Sequence, residues 1–126
     1  MCRAYPPGSF DAVMFPPPNT ALEISPADTA AWLVEKPASF ALIDCREEDE
    51  WQICRIDGAR LIPLSQFGER APAEIDPAVP VVVHCHHGLR SARAAAWLRQ
   101  KGIRAWSLAG GIEAWTDEID PTLPRY

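Results

Sequence analysis

Residues Val81–Ala96 read VVVHCHHGLRSARAAA, and the two halves of this stretch have different characters. Val81-Val82-Val83-His84 is a run of strand length that opens with three β-branched valines, and such side chains suit a pleated backbone. Ser91–Gln100 is rich in alanine and straight-chain residues, which have high helix propensity. Gly102 stands where a helix commonly ends. The expected order is therefore strand, turn, helix, with Cys85 at the carboxyl edge of the strand.

The flanking segments repeat this alternation. Ala21–Ile24 is a short candidate strand. Ser25-Pro26-Ala27-Asp28 has the signature of a helix start: a capping serine, proline at the first helical position and an early acid. That helix should run through Trp32 and Leu33 to about Lys36, where Pro37 ends it. Phe40–Asp44 is an apolar run closing in an acid, as expected of a buried strand. Glu47, Glu48, Asp49 and Glu50 suit a solvated helix N-terminus. Gly58–Pro63 is a further strand, and residues 64–79 allow one or two helical turns near Gln66–Arg70. Ile103–Leu108 is the last strand; Gly110-Gly111 break it, Ile112–Trp115 begin a short helix, and Asp120–Tyr126 form a Pro-containing tail. Strands alternating with helices imply an α/β fold with a parallel sheet and right-handed crossovers.

The chain has 126 residues, enough for one core. Residues 1–20 hold five of the thirteen prolines and are expected to form an extended arm, leaving 21–126 as a single domain. No apolar run is long enough to span a membrane. MCRAYPPGSF lacks the unbroken apolar stretch of a secretory signal, so a cytoplasmic location is expected. The net charge is −5, which does not suit nucleic acid as a main partner. Residues 77–112 nevertheless carry five Lys and Arg and no acid, a local +5 that leaves −10 for the rest. Such a segment suits an anion site or a helix with a basic outer face. The second fits Arg99, Lys101 and Arg104.

The four cysteines, Cys2, Cys45, Cys54 and Cys85, form no C-x-x-C pair. His84-Cys85-His86-His87 resembles metal-binding material, but adjacent side chains seldom converge on one point and no second ligand cluster is present. No metal or other cofactor is expected. In an open parallel sheet, ligands bind beyond the carboxyl ends of the strands, where Cys85 lies. Successive amides of the loop can form an anion nest, backed by the dipole of the following helix. Gly88 allows the necessary backbone geometry, and Arg90 supplies a fixed charge, with His86 and His87 adding to it. A thiol in such a field loses its proton readily, and thiolate is the nucleophile. The plainer alternative is a free cysteine packed at a strand end. For the chemistry to operate, the amides must face inward and the sulfur must be reachable from solvent.

Over about Ala21–Trp115 the sequence resembles a single-domain rhodanese. Three blocks carry the resemblance: Leu42-Ile43-Asp44-Cys45-Arg46 with Glu50-Trp51; Ile56-Asp57-Gly58-Ala59; and Cys85-His86-His87-Gly88-Leu89-Arg90-Ser91 with Gly110-Gly111-Ile112-Glu113-Ala114-Trp115. It departs where Cys54-Arg55 replace the family's Gly-His and Asp57 replaces Pro, a segment away from the nucleophile in the family's fold. The resemblance implies a central five-stranded, mainly parallel sheet with helices on both faces. It also implies sulfur transfer through a Cys85 persulfide, with His86, His87, Gly88, Leu89, Arg90 and Ser91 around the substrate. The donor would be a small anion such as thiosulfate, and the acceptor cyanide, a thiol or a carrier protein. Arg90 would orient the donor's oxyanion, Ser91 would help cap the helix and shape the loop, and Arg93 would raise the local potential. Asp44 and Arg46 would hold the strand end. By the family's strand order, Cys45 lies beside Cys85 and could resolve it; a small residue packing in the sheet is the preferred reading.

Four residues separate Cys85 from Arg90. The related dual-specificity phosphatases and arsenate reductases have five, by the same resemblance. The wider ring suits a phosphoryl group and the narrower one a single sulfur. Phosphatase or arsenate reductase activity, and a non-catalytic or sulfur-relay module, are the alternatives.

Overall fold

A computed structural model of the chain describes residues 21–36 and 38–126. The Pro-rich arm, Cys2 and Pro37 lie outside the described residues. In chain order the elements are β1 (Glu23–Ile24), α1 (Pro26–Glu35), β2 (Ala41–Asp44), α2 (Glu48–Ile53) and β3 (Ala59–Leu61). A 3-10 turn at Leu64–Gln66 leads into α3 (Phe67–Glu74), followed by β4 (Val81–His84), α4 (Leu89–Gln100), β5 (Ala105–Leu108) and α5 (Gly111–Glu118). The five strands form one sheet in the order β1-β5-β4-β2-β3, and every pairing is parallel.

Alternation along each strand divides the core in two. On one side, Ile43, Val81, Val83 and Ala105 meet Phe67 and Ala71 of α3 and Ala94, Ala95 and Leu98 of α4. On the other, Leu42, Val82, Trp106 and Leu108 meet Ala31 and Trp32 of α1 and Ile112 and Trp115 of α5. Helices thus cover both faces, and β4, at the sheet's centre, is wholly buried. Full burial on both sides explains why β4 reads as an unbroken β-branched run.

Several local expectations hold. Ser25 caps α1 by accepting the Asp28 N–H at 3.0 Å, and Pro26 opens the helix. Two helices differ. α3 runs to Glu74, past Pro72. The missing proline N–H costs one hydrogen bond, while buried Phe67 and Ala71 anchor the helix and Arg70 pairs with Glu74 at 2.7 Å. α4 begins at Leu89, two residues before Ser91. Its N-cap is Gly88 at φ 111°, without a side-chain cap. The expectation that Ser91 caps this helix is therefore corrected: the turn needs a left-handed residue, which glycine supplies.

Candidate active site

Cys85 lies one residue beyond β4, and the loop after it folds back over its sulfur. The Gly88 N–H donates to Sγ at 3.1 Å and the Ser91 N–H at 3.4 Å. The Ser91 Oγ also lies 3.4 Å from Sγ. The opposite edges of the loop are tied down by α5. The Ile112 N–H donates to the Cys85 carbonyl at 2.9 Å, and the Glu113 N–H to the His86 carbonyl at 3.1 Å. With these carbonyls held outward by a helix N-terminus, amides further along the loop are left facing the sulfur. Gly111 is required for this closeness, because a Cβ there would collide with the Cys85 and His86 carbonyls.

Ser91 belongs to a short hydroxyl network. Its Oγ lies 2.7 Å from Ser107 Oγ and 3.2 Å from the Gly88 carbonyl. Ser107 Oγ can also donate to that carbonyl, at 3.4 Å. When Cys85 is ionised, Ser91 can give its proton to the sulfur and receive one from Ser107. When Cys85 is protonated, the direction reverses.

The Cys85 thiol is held well below the ordinary thiol range. A hydrogen bond from the Cys45 side chain contributes most; burial opposes it, and the Ser91 side chain, the Ser91 N–H and the Gly88 N–H add to the lowering. Cys45 is pushed up in turn, chiefly by the same hydrogen bond and by burial. The two shifts run in opposite directions, so the pair favours the charge on Cys85 and the proton on Cys45.

One of the two conditions set for the chemistry is not met. The amides face inward, but Cys85 is only 1% exposed rather than reachable from solvent. The loop closes directly on Sγ, so the Gly88 and Ser91 amides hold the cysteine sulfur itself.

The remaining loop residues divide by position. Leu89 is exposed and half-buried Arg90 faces Glu50. His86 is stacked between His87 and Tyr126, with both centroid separations 4.0 Å. His86, His87 and Glu113 bring possible ligand atoms within 4.8 Å of one another. Glu113 is already bonded to Arg125 at 2.9 Å, and the two imidazoles are face to face rather than aimed at one centre.

Arg90 is not a free cation. Its guanidinium makes a two-pronged contact with Glu50, at 2.7 and 2.9 Å. Arg90 holds the Glu50 carboxyl down to about 2; burial opposes the shift, and the Glu47 N–H and Tyr126 hydroxyl assist it. Tyr126 donates to Glu50 at 3.0 Å and accepts from Arg46 at 2.7 Å. Arg46 is buried against Asp44, at 2.7 Å, and donates to the Cys54 carbonyl. One polar chain therefore runs from the end of β2 to the start of α4. Asp44 and Arg46 do hold a strand end, as expected. Glu50 and Tyr126 are the participants that sequence reasoning missed.

Residues 25–118 match the family described as Rhodanese-like domain. The chain is 37% identical over 89 residues to the Rhodanese-like/PpiC domain-containing protein 12, chloroplastic, of Arabidopsis thaliana, covering 68% of this chain and 30% of that one. It is 37% identical over 105 residues to the probable adenylyltransferase/sulfurtransferase MoeZ of Mycobacterium tuberculosis, covering 82% of this chain and 26% of the relative. The chain thus spans less than a third of the length of these curated relatives. Among solved structures, a rhodanese-related protein from Thermoplasma volcanium superposes with TM-score 0.67 at 31% identity, covering 77% of this chain and 92% of that one.

Proposed function

The chain belongs to the Rhodanese-like domain family, and on that premise we propose that it moves a sulfane sulfur from an anionic donor to a thiophilic acceptor through a Cys85 persulfide. The observation that carries this reading is the pair of amides, Gly88 and Ser91, aimed at the sulfur at the carboxyl edge of the sheet. Thiolate at Cys85 attacks the outer sulfur of a donor such as thiosulfate. The sulfur–sulfur bond of the donor breaks, and sulfite leaves with the electron pair. The new terminal sulfur carries negative charge, and the loop amides shift their hydrogen bonds onto it. An acceptor (cyanide, a thiol or a carrier protein) then takes that sulfur and restores the thiolate. No metal or organic cofactor enters these steps.

Because Cys85 is buried beneath the loop, the turn at Gly88-Leu89 moves outward to admit the donor. Arg90 meets the donor's oxyanion, a role suited to a guanidinium fork, and the donor competes with Glu50 for it. A membrane plays no part, and no helix among the described residues is long and apolar enough to cross one. The setting proposed for this activity is the cytoplasm.

The test is thiocyanate formation from thiosulfate and cyanide by the wild type and Cys85→Ser, with hydrolysis of an aryl phosphate measured alongside. Turnover confined to the wild type, with no phosphate release, is expected. Equal turnover by Cys85→Ser would remove Cys85 from the mechanism, and phosphate release dependent on Cys85 would favour a phosphatase.

A further inference from the structure

Cys45 and Cys54 are the other cysteines among the described residues, and both are buried and unpaired by disulfide. Cys54 packs in the core cluster on the opposite side of the sheet, whereas Cys45 packs in the cluster that contains Cys85. The parallel ladder between β2 and β4 runs from Ala41↔Val81 to Asp44↔His84. Cys45 continues it, donating its N–H to the His84 carbonyl at 2.9 Å. The next rung places Cys45 beside Cys85. Side chains alternate along a strand, so both sulfurs follow Ile43 and Val83 onto one face. Neighbouring strands lie about 4.8 Å apart, inside the roughly 4.4–6.8 Å Cα separation of a disulfide.

Resting on the persulfide reading above, we infer that Cys45 resolves the Cys85 persulfide. An internal Cys45–Cys85 disulfide forms and the transferred sulfur is released as hydrosulfide, which gives the domain a sulfide-releasing activity beside sulfur transfer. The step balances. A bond forms between the sulfurs of Cys45 and Cys85, and the bond from Cys85 to the terminal sulfur breaks. The terminal sulfur leaves with the electron pair and takes the Cys45 proton. The Cys45 sulfur is oxidised and the departing sulfur is reduced. A low-molecular-weight thiol or a protein dithiol then reduces the disulfide and restores both cysteines.

Two features of the site favour this route. The leaving sulfur departs as an anion, and the Gly88 and Ser91 amides that would hold the persulfide's charge also stabilise that anion. Cys45 approaches from β2, whereas these amides come from the loop, so nucleophile and leaving group are served by different elements. Cys45 is 0% exposed and Cys85 1% exposed. The step therefore needs no external group to reach the site, and it competes best when no acceptor is present.

The experiment is a single turnover of the full chain without acceptor. The protein is mixed briefly with thiosulfate and desalted, and intact mass and free sulfide are then followed with time. The wild type should first gain one sulfur atom. It should then fall to two hydrogens below its starting mass as one equivalent of sulfide appears, with a peptide map linking Cys45 to Cys85. Cys45→Ser and Cys45→Ala, each checked for native circular dichroism, should load sulfur more slowly because Cys85 loses its Cys45 partner, and once loaded should keep the added sulfur and release no sulfide. A wild type that holds its sulfur indefinitely would overturn the inference and leave the persulfide reading intact. So would sulfide release from either variant at the wild-type rate, or a disulfide to Cys2 or Cys54. A wild type that never gains sulfur would overturn the persulfide reading, and this inference with it.

Discussion

Replacing Ser91 by alanine isolates one of the contacts that hold Cys85 as a thiolate. The Ser91 Oγ lies 3.4 Å from Sγ and is the sole side-chain hydroxyl bonded to the sulfur among the described residues. In the ionised state this is a hydrogen bond to a charged acceptor, worth about 1.5–3 kcal/mol. At about 1.4 kcal/mol per pH unit, its loss should raise the apparent pKa of Cys85 by about one to two units. The fold should tolerate the change, because alanine keeps the Cβ and Ser107 can turn its hydroxyl to the Gly88 carbonyl at 3.4 Å. The backbone amides of Gly88 and Ser91 remain, so the thiol stays below its ordinary range. The assay is ultraviolet absorbance of the thiolate against pH, with Cys85→Ser subtracted, beside the pH profile of kcat/KM for thiosulfate. The acid limb of both curves should move to higher pH by the same amount. Ser107→Ala, which touches Ser91 but not the sulfur, should move it less. Curves for Ser91→Ala that superimpose on the wild type would show that the hydroxyl network does not set the ionisation of Cys85.

Arg90→Ala should lower kcat/KM for thiosulfate by the equivalent of about 1–3 kcal/mol, with little effect on an uncharged organic trisulfide; equal losses with both donors would make Arg90 a purely structural partner of Glu50. The Glu50 carboxyl is held down to about 2 by Arg90, below the ordinary value near 4.3. The pair therefore stabilises the fold above the ordinary value and is lost as pH falls through about 2. Urea denaturation midpoints should fall across that window in the wild type, and Glu50→Gln should flatten the slope. Gly111→Ala forces a Cβ onto the Cys85 and His86 carbonyls at a position with φ 63°. It should cost at least about 1–3 kcal/mol of stability and depress transfer, and an unchanged denaturation midpoint would show that the loop yields freely.

How far the sequence revealed this molecule depended on whether a signal was local. β4 was legible residue by residue, since a strand buried on both faces carries an unbroken β-branched run. The five parallel strands and the helices on both faces followed from the alternation of segments and from the family resemblance. The start of α4 was harder to place, because Gly88 can act as a cap without any capping side chain. Glu50 was hidden among four consecutive acids, of which only the folded helix shows which one turns toward Arg90. Tyr126 stands 76 residues from Glu50 and belongs to an irregular tail, so no periodicity could announce it. The contact of the loop amides with the cysteine sulfur itself was also invisible, because the spacing of Cys85, Gly88 and Arg90 describes a ring of amides without saying how tightly it closes.

The most direct test concerns the grip of the loop on one added sulfur. Wild type and Cys85→Ser are mixed with thiosulfate for seconds, quenched in acid and weighed by mass spectrometry. The wild type should carry one extra sulfur that maps to the Cys85 peptide and disappears on adding cyanide, while the variant stays at its starting mass. A wild type that stays unmodified, or a sulfur that maps elsewhere, would make Cys85 a packed structural thiol.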